Sequence, residues 1–402
     1  MVSTEASNAH FSISNLISRF RSKKRSTKPN HNINGQSNLQ YEDRLALVAA
    51  PLPLVLPEHQ KTLSTLGWTT LTFPDYTSTI QPELTVAHPT TEYDAPSKLG
   101  PHPLQQAYED LFVASQAFFD QSDQEKSQWK HKLGSEEGWS KIPGEKEFIT
   151  LRTLEYCPDI LRDPAKRYWD LMGAHLSNTL GRISTSLGLD AGEEEGLRRF
   201  VGPCKTMQAK NDDKTATMLR LFRYEGWDAK EVAEPHADLG LLSVVVGNVP
   251  GLEVWDGFTW FACEKEVENA GKKGASLLAG RQLERFSNGR YPAGGHRVVS
   301  YGLPNPLQSP TRTPPASMTV EKNYRFSIVF VLRAHEPIII NSDDLETKIT
   351  GKWMEPLRGV TAGLNYEEIR GKHYNINIGM KERERQRQKI KTVKSRNLPS
   401  SG

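Results

Sequence analysis

Alternation of apolar and polar positions is clearest over residues 324–332. There Tyr324, Phe326, Ile328 and Phe330 fall on one face of an extended chain and Arg325, Ser327 and Val329 on the other. Residues 239–246 (Leu-Gly-Leu-Leu-Ser-Val-Val-Val) form a β-branched apolar run that predicts a buried strand. A turn and strand over 251–255, a Ser-Asn-Gly-Arg turn at 287–290 and a strand led by His296 over 296–300 extend the same β-rich stretch. Helical spacing of Leu104, Tyr108, Leu111 and Phe112 predicts a helix from 103 to about 132. A second helix is expected over 164–187, with Pro164 in its first turn. The apolar stripes of both read as packing surfaces against a sheet.

These elements divide the chain into five stretches. Residues 1–40 are a basic tail rich in Ser, Asn and Lys, and 41–205 form a helical and strand-bearing N-terminal region. Residues 206–340 are an antiparallel double-sheet core, 341–380 a C-terminal helical segment, and 381–402 a basic tail or solvated helix. Within the core, residues 304–320 carry prolines at 304, 306, 310, 314 and 315. They read either as an inert hairpin insertion or as a loop shaping a pocket mouth.

Composition places the chain among globular proteins, since 402 residues at 37% apolar content can bury a large core. The longest apolar run, 45–56, is interrupted by Pro51 and Pro53 and is too short to span a bilayer, so no membrane partner is expected. Cys157, Cys204 and Cys263 lack metal spacing and read as reduced thiols of an intracellular, cytoplasmic protein. Residues 1–40 carry a local charge of +5 and 381–402 of +6, which leaves 41–380 at −8. An acidic body argues against a nucleic-acid groove. The basic cluster Ser22 to Arg25 reads as a nuclear signal and 11–20 as a weak amphipathic targeting helix, each with a disordered basic tail as the alternative. Nothing here specifies the oligomeric state.

Candidate chemistry centres on His236 and Asp238, which share a face when two apart on an extended strand. With one later histidine they make a two-His-one-carboxylate set, which occupies one face of an octahedral iron and leaves positions open for substrate and oxygen. His296 is the expected third ligand and His335 its rival. Arg325 and Ser327, again two apart, suit a carboxylate-bearing co-substrate, because a guanidinium forms two parallel charged hydrogen bonds. Arg325 could instead pair with a protein carboxylate, and Tyr224 could be a core tyrosine.

These residues carry a resemblance. The order and spacing of Leu-Arg-Leu-Phe-Arg-Tyr (219–224), His-Ala-Asp-Leu-Gly-Leu-Leu-Ser (236–243), Gly-Leu-Glu-Val (251–254), Ser-Asn-Gly (287–289), His-Arg-Val (296–298) and Arg-Phe-Ser (325–327) resemble the iron(II)/2-oxoglutarate-dependent dioxygenases of the isopenicillin N synthase-like branch. Leu-Gly-Trp (66–68), Ala-Phe-Phe (117–119), Gln-Glu-Lys (124–126) and residues 138–147 match more loosely, so the resemblance covers about 42–375. It departs at Arg281, where the family usually has an Asp after the glycine, and in the long 296–325 interval.

The resemblance implies a mainly β fold with bracing helices (α+β), a double-stranded β-helix or jelly roll. It implies Fe(2+) held by His236, Asp238 and His296, and 2-oxoglutarate held by Arg325 and Ser327 with help from Tyr224. Oxygen is a co-substrate, and ascorbate is admitted as a reductant. The implied activity is hydroxylation, desaturation or cyclisation of a small molecule, with release of succinate and CO2. Three other readings stay open: a same-fold iron oxidase that does not use 2-oxoglutarate, a non-catalytic regulatory protein, and a nucleic-acid demethylase.

Overall fold

Residues 44–74, 101–130, 136–225, 230–301, 324–373 and 375–396 are described by a computed structural model. The large sheet has the spatial order β1 (Trp68–Phe73), β9 (Lys273–Ala279), β6 (Leu242–Gly247), β11 (Arg325–Leu332), β4 (Met218–Tyr224), β3 (Lys146–Leu151) and β2 (Gly138–Ile142). A smaller sheet has the order β5 (Lys230–His236), β10 (His296–Ser300), β7 (Leu252–Trp255) and β8 (Trp260–Phe261). All pairings within both sheets are antiparallel. Two facing sheets braced by helices are the jelly-roll, α+β architecture expected from the sequence.

Side-chain alternation assigns the two faces of the large sheet. Leu219 and Leu221 of β4, Val244 and Val246 of β6, and Phe326, Ile328 and Phe330 of β11 join the core beneath the helices Pro103–Phe119 and Asp159–Ser186. Trp169 of the longer helix meets Phe330 edge-on, with ring centroids 5.3 Å apart. On the other face Phe222, Tyr224 and Val245 pack with Leu252, Val254 and Val298 of the small sheet. Each fully buried side chain of this size contributes roughly 1.5–3 kcal/mol. A one-residue slip of β11 would send Arg325 and Ser327 under the helices and three apolar side chains into the barrel, so the register is strongly fixed.

Four elements differ from the sequence expectation. The first helix ends at Phe119 rather than near 132. Ser122 starts a new turn, Asp123–Lys126, through a capping box in which its hydroxyl accepts from Glu125 N–H and the Glu125 carboxylate accepts from Ser122 N–H. The second helix begins at Asp159, so Pro164 is interior rather than in the first turn. The expected C-terminal helical segment, 341–380, instead begins within a hairpin of β12 (Ile339–Asn341) and β13 (Arg358–Thr361), and after the 3-10 turn Ser342–Leu345 it becomes α-helical at Ala362–Gly371. Finally, Met380–Arg396 is a helix, but it is docked rather than solvated: Arg383 is buried and bonds Glu145 (2.5 Å) and Glu234 (2.9 Å), and Arg387 pairs with Glu234.

The proline-rich stretch 304–320 and residues 11–25 lie outside the described residues. Among the described residues no helix is long and apolar enough to cross a membrane. The three cysteines are free and buried.

One buried ion cluster ties the N-terminal region to the barrel. Glu147 is fully buried on β3, where it accepts from Lys126 Nζ (2.9 Å) and Trp139 Nε1 (3.0 Å) and pairs with Arg223. Glu147→Leu would leave two cations facing an apolar group. It is expected to lower unfolding free energy by about 3–5 kcal/mol, read from the urea midpoint. A loss below about 1 kcal/mol would mean that water already solvates the cluster.

Candidate active site

His236 ends β5 and His296 begins β10, and the two are directly paired in register across the small sheet. Their rings lie 4.1 Å apart between centroids. Asp238, two residues beyond the end of β5, completes the group. Its Oδ1 is 3.9 Å from His236 Nε2 and its Oδ2 is 3.9 Å from His296 Nε2. One donor atom from each residue falls within 4.8 Å of the others.

The tautomers are set by the backbone. Nδ1 of His236 lies 2.7 Å from the Glu234 carbonyl and Nδ1 of His296 lies 3.0 Å from the Gly294 carbonyl. Because a carbonyl only accepts, each Nδ1 carries the proton and donates, which leaves both Nε2 lone pairs for a cation. Burial, reinforced by the neighbouring His296, holds His236 well below its ordinary pKa and therefore neutral. Burial alone would raise Asp238, but the positive charge that His296 and His236 carry when protonated, together with the Arg333 guanidinium, holds the carboxyl below its ordinary pKa. Asp238 Oδ2 is buried with no hydrogen-bond partner. Such an orphaned acceptor beside two free imidazole nitrogens is the donor set of a divalent transition-metal ion.

His335, the rival ligand, is not in this cluster; it stands beside Gly202, its backbone N–H donating to the Phe200 carbonyl. Arg281 donates its backbone N–H to the Asp238 carbonyl (2.8 Å), while its guanidinium pairs with Glu284 (2.7 Å). With Arg281 at this position, His236, Asp238 and His296 still come together.

Arg325 is buried at the start of β11, and the protein-carboxylate pairing left open by the sequence is present. Its Nη2 lies 3.2 Å from Glu264 Oε2, its Nε donates to the Val249 carbonyl (3.2 Å), and the guanidinium sits 5.3 Å over the Tyr224 ring. Glu264 is itself fixed, accepting from the N–H groups of Gly251 (2.7 Å) and Leu252 (2.8 Å). A Cβ at Gly251 would come 2.5 Å from Arg325 Nε and one at Gly247 2.7 Å from Nη2, so both glycines make room for the guanidinium. The pairing occupies one edge of the fork only. Arg325 Nη1 and the Ser327 hydroxyl are buried without partners, and Tyr224 lies beside them, its hydroxyl pushed to higher pKa by burial and so protonated. These groups leave donors for a carboxylate not supplied by the protein.

A cavity of about 1050 Å³ opens between the sheets, lined by His236, Asp238, His296 and Tyr224 and walled by Val245, Leu252, Val298 and Val329. Residues 375–377 and Gln386 line it as well. The lining also holds cations whose place there was not foreseen from sequence, among them Lys146 on β3 and Arg220 on β4. Glu264 was missed for the same reason, since it touches Arg325 across 61 residues of chain and has no motif around it.

No protein-family model and no curated protein matches this sequence. Solved structures do match. A full-length Neurospora crassa protein in complex with alpha-KG and 5-formyluracil aligns with TM-score 0.51 at 17% identity, over 76% of this chain and 86% of that one. The same Neurospora protein in complex with alpha-KG and thymine gives 0.50 at 16%, over 77% and 89%. A 2OG-Fe(II) oxygenase family protein from Caulobacter crescentus gives 0.50 at 16%, over 78% and 92%. The chain therefore has the fold of the 2-oxoglutarate–iron(II) oxygenases.

Proposed function

We propose that this protein is an iron(II)- and 2-oxoglutarate-dependent oxygenase that oxidises a small organic molecule and releases succinate and CO2. The observation that carries the reading is the convergence of two Nε2 lone pairs and an unpartnered, buried carboxylate oxygen on one point of the cavity wall. His236, Asp238 and His296 would hold the metal, leaving further coordination positions toward the cavity. Iron bound there supplies the means to couple oxygen reduction and 2-oxoglutarate decarboxylation to oxidation of a substrate C–H bond.

The chain's own groups do the rest. Arg325 Nη1, the Ser327 hydroxyl and the Tyr224 hydroxyl receive the far carboxylate of 2-oxoglutarate, while Glu264 holds the guanidinium in place. Val245, Leu252, Val298 and Val329 give a substrate an apolar wall to pack on beside these residues. Which C–H bond is oxidised, and whether the outcome is hydroxylation, desaturation or ring closure, follows from the substrate.

Succinate formation tests the reading against its same-fold rival. Anaerobic incubation of the protein with Fe(II), 2-oxoglutarate and a metabolite mixture, followed by oxygen, should give oxygen-dependent succinate. Equal oxygen and substrate consumption without 2-oxoglutarate would establish the oxidase instead, and absence of metal binding would favour a regulatory protein. His335→Ala should leave succinate release within about twofold of wild type, because the side chain lies outside the cluster. Its loss of turnover in a folded, metal-loaded variant would contradict the ligand set.

A further inference from the structure

The cavity contains a positive site that neither the metal cluster nor the co-substrate donors use. Three of its lining cations are already neutralised: Arg333 by Glu136, Arg281 by Glu284 and Arg370 by Glu367. Lys146 and Arg220 are not. Lys146 is 1% exposed, has no salt-bridge partner among the described residues, and spends one donor on a long bond to the Ile376 carbonyl (3.4 Å). Arg220 is buried and donates Nε–H to Thr150 (2.7 Å), and its two terminal nitrogens make no hydrogen bond among the described residues. Glu145 near Lys146, and Glu136 and Asp238 near Arg220, act only through space, and buried cations with no direct ion pair at a cavity wall point to a ligand that completes them.

The surface between the two cations is aromatic. Lys146 Nζ sits 5.7 Å over the Phe222 ring and the Arg220 guanidinium 5.3 Å over Phe148, and these rings are 5.5 Å apart. Tyr224 stacks on Phe222 at 5.3 Å. Phe222 and Tyr224 face the cavity, together with the valines and Leu252 of its wall. We infer that the substrate is an organic carboxylate with an apolar body, its carboxylate received by Lys146 in the field of Arg220 and its body lying on Phe222. This deepens the oxygenase reading, on which it rests for calling the ligand a substrate. Burial, with Arg383 and Arg220 nearby, outweighs Glu145 and pushes Lys146 down to about 7, and a carboxylate bound beside it would favour the charged form.

The site can be tested without knowing the natural substrate. The probes are matched acid and amide pairs: 2-naphthoate and 2-naphthamide, phenylacetate and phenylacetamide, hexanoate and hexanamide. Each is titrated calorimetrically, without oxygen, into the full chain loaded with Mn(II) and saturating 2-oxoglutarate. In at least one pair the acid should bind about tenfold or more tighter than its amide, the size of one charge-assisted contact. Lys146→Met should erase that preference and leave the amide affinity unchanged, and Lys146→Arg should keep it. Arg220→Met should reduce the preference without abolishing it. No preference in any pair, equal weakening of acid and amide by Lys146→Met, or acid binding only when 2-oxoglutarate is omitted would each overturn the inference. Acid preference in a protein that fails to bind 2-oxoglutarate would leave the anion site standing and overturn the oxygenase reading alone.

Discussion

Asp238→Ala is expected to abolish succinate formation while the protein remains folded, and His236→Ala and His296→Ala are expected to do the same. Each removes one of three donors that lie together at the ends of two paired strands. No other histidine, cysteine or carboxylate among the described residues joins the cluster to replace a lost ligand. The fold should survive because the two histidines bond only a carbonyl two residues back and Asp238 Oδ2 has no hydrogen-bond partner, so none of the three side chains ties one strand to another. Metal content by elemental analysis, with succinate release measured in parallel, checks both halves. A variant of Asp238 that retains iron and turnover would sink the ligand assignment. The experiment also separates metals, since Co, Ni and Zn compete for such donors by raw affinity and only iron should restore turnover.

The second large effect concerns the co-substrate. Arg325→Ala should raise the 2-oxoglutarate KM by at least about tenfold, because a charge-assisted hydrogen bond at a buried site is worth roughly 1.5–3 kcal/mol and 1.4 kcal/mol is a factor of ten. Ser327→Ala should do less, removing a single neutral donor. Glu264→Gln provides a sharper test of the geometry. It keeps the shape of the group that fixes Arg325 but removes its charge, so it should raise KM by less than Arg325→Ala and leave iron affinity unchanged. Succinate release against 2-oxoglutarate concentration distinguishes all three. An unchanged KM in Arg325→Ala would mean that the guanidinium serves Glu264 alone.

What could be read from the sequence follows the range of the forces involved. The alternation over 324–332 reports a strand whose two faces meet different media, and β11 places Phe326, Ile328 and Phe330 under the helices with Arg325 and Ser327 inside the barrel. His236 and Asp238 are two apart because one strand end delivers both, so their association is local, and His296 followed from spacing and resemblance. Glu264, Lys146 and Arg220 were not legible. Each acquires its role from a neighbour on another strand or helix, and a lone charged residue looks the same in sequence whether it is solvated or walls a cavity. The helix ends failed for a different reason. The apolar periodicity stops at Phe119, and the polar stretch after it is restarted as a separate turn by the Ser122–Glu125 capping box, which the helix expectation ran through. The helix Met380–Arg396, polar along its length, reads as solvated until Glu145 and Glu234 are brought to it.

The pairing of β1 with β9 carries a consequence for the birth of the protein. Trp68 lies opposite Leu278 and Phe73 opposite Lys273, so about two hundred residues separate the partners along the chain. At ribosomal rates of roughly 5–20 residues per second, β1 leaves the tunnel roughly 10–40 s before its partner exists. Throughout that interval a segment whose six positions are all buried in the finished sheet is exposed to solvent or to a chaperone. Fragments from translation stalled between the two strands would display that segment permanently, and would present the cell with an aggregation problem that the complete chain resolves.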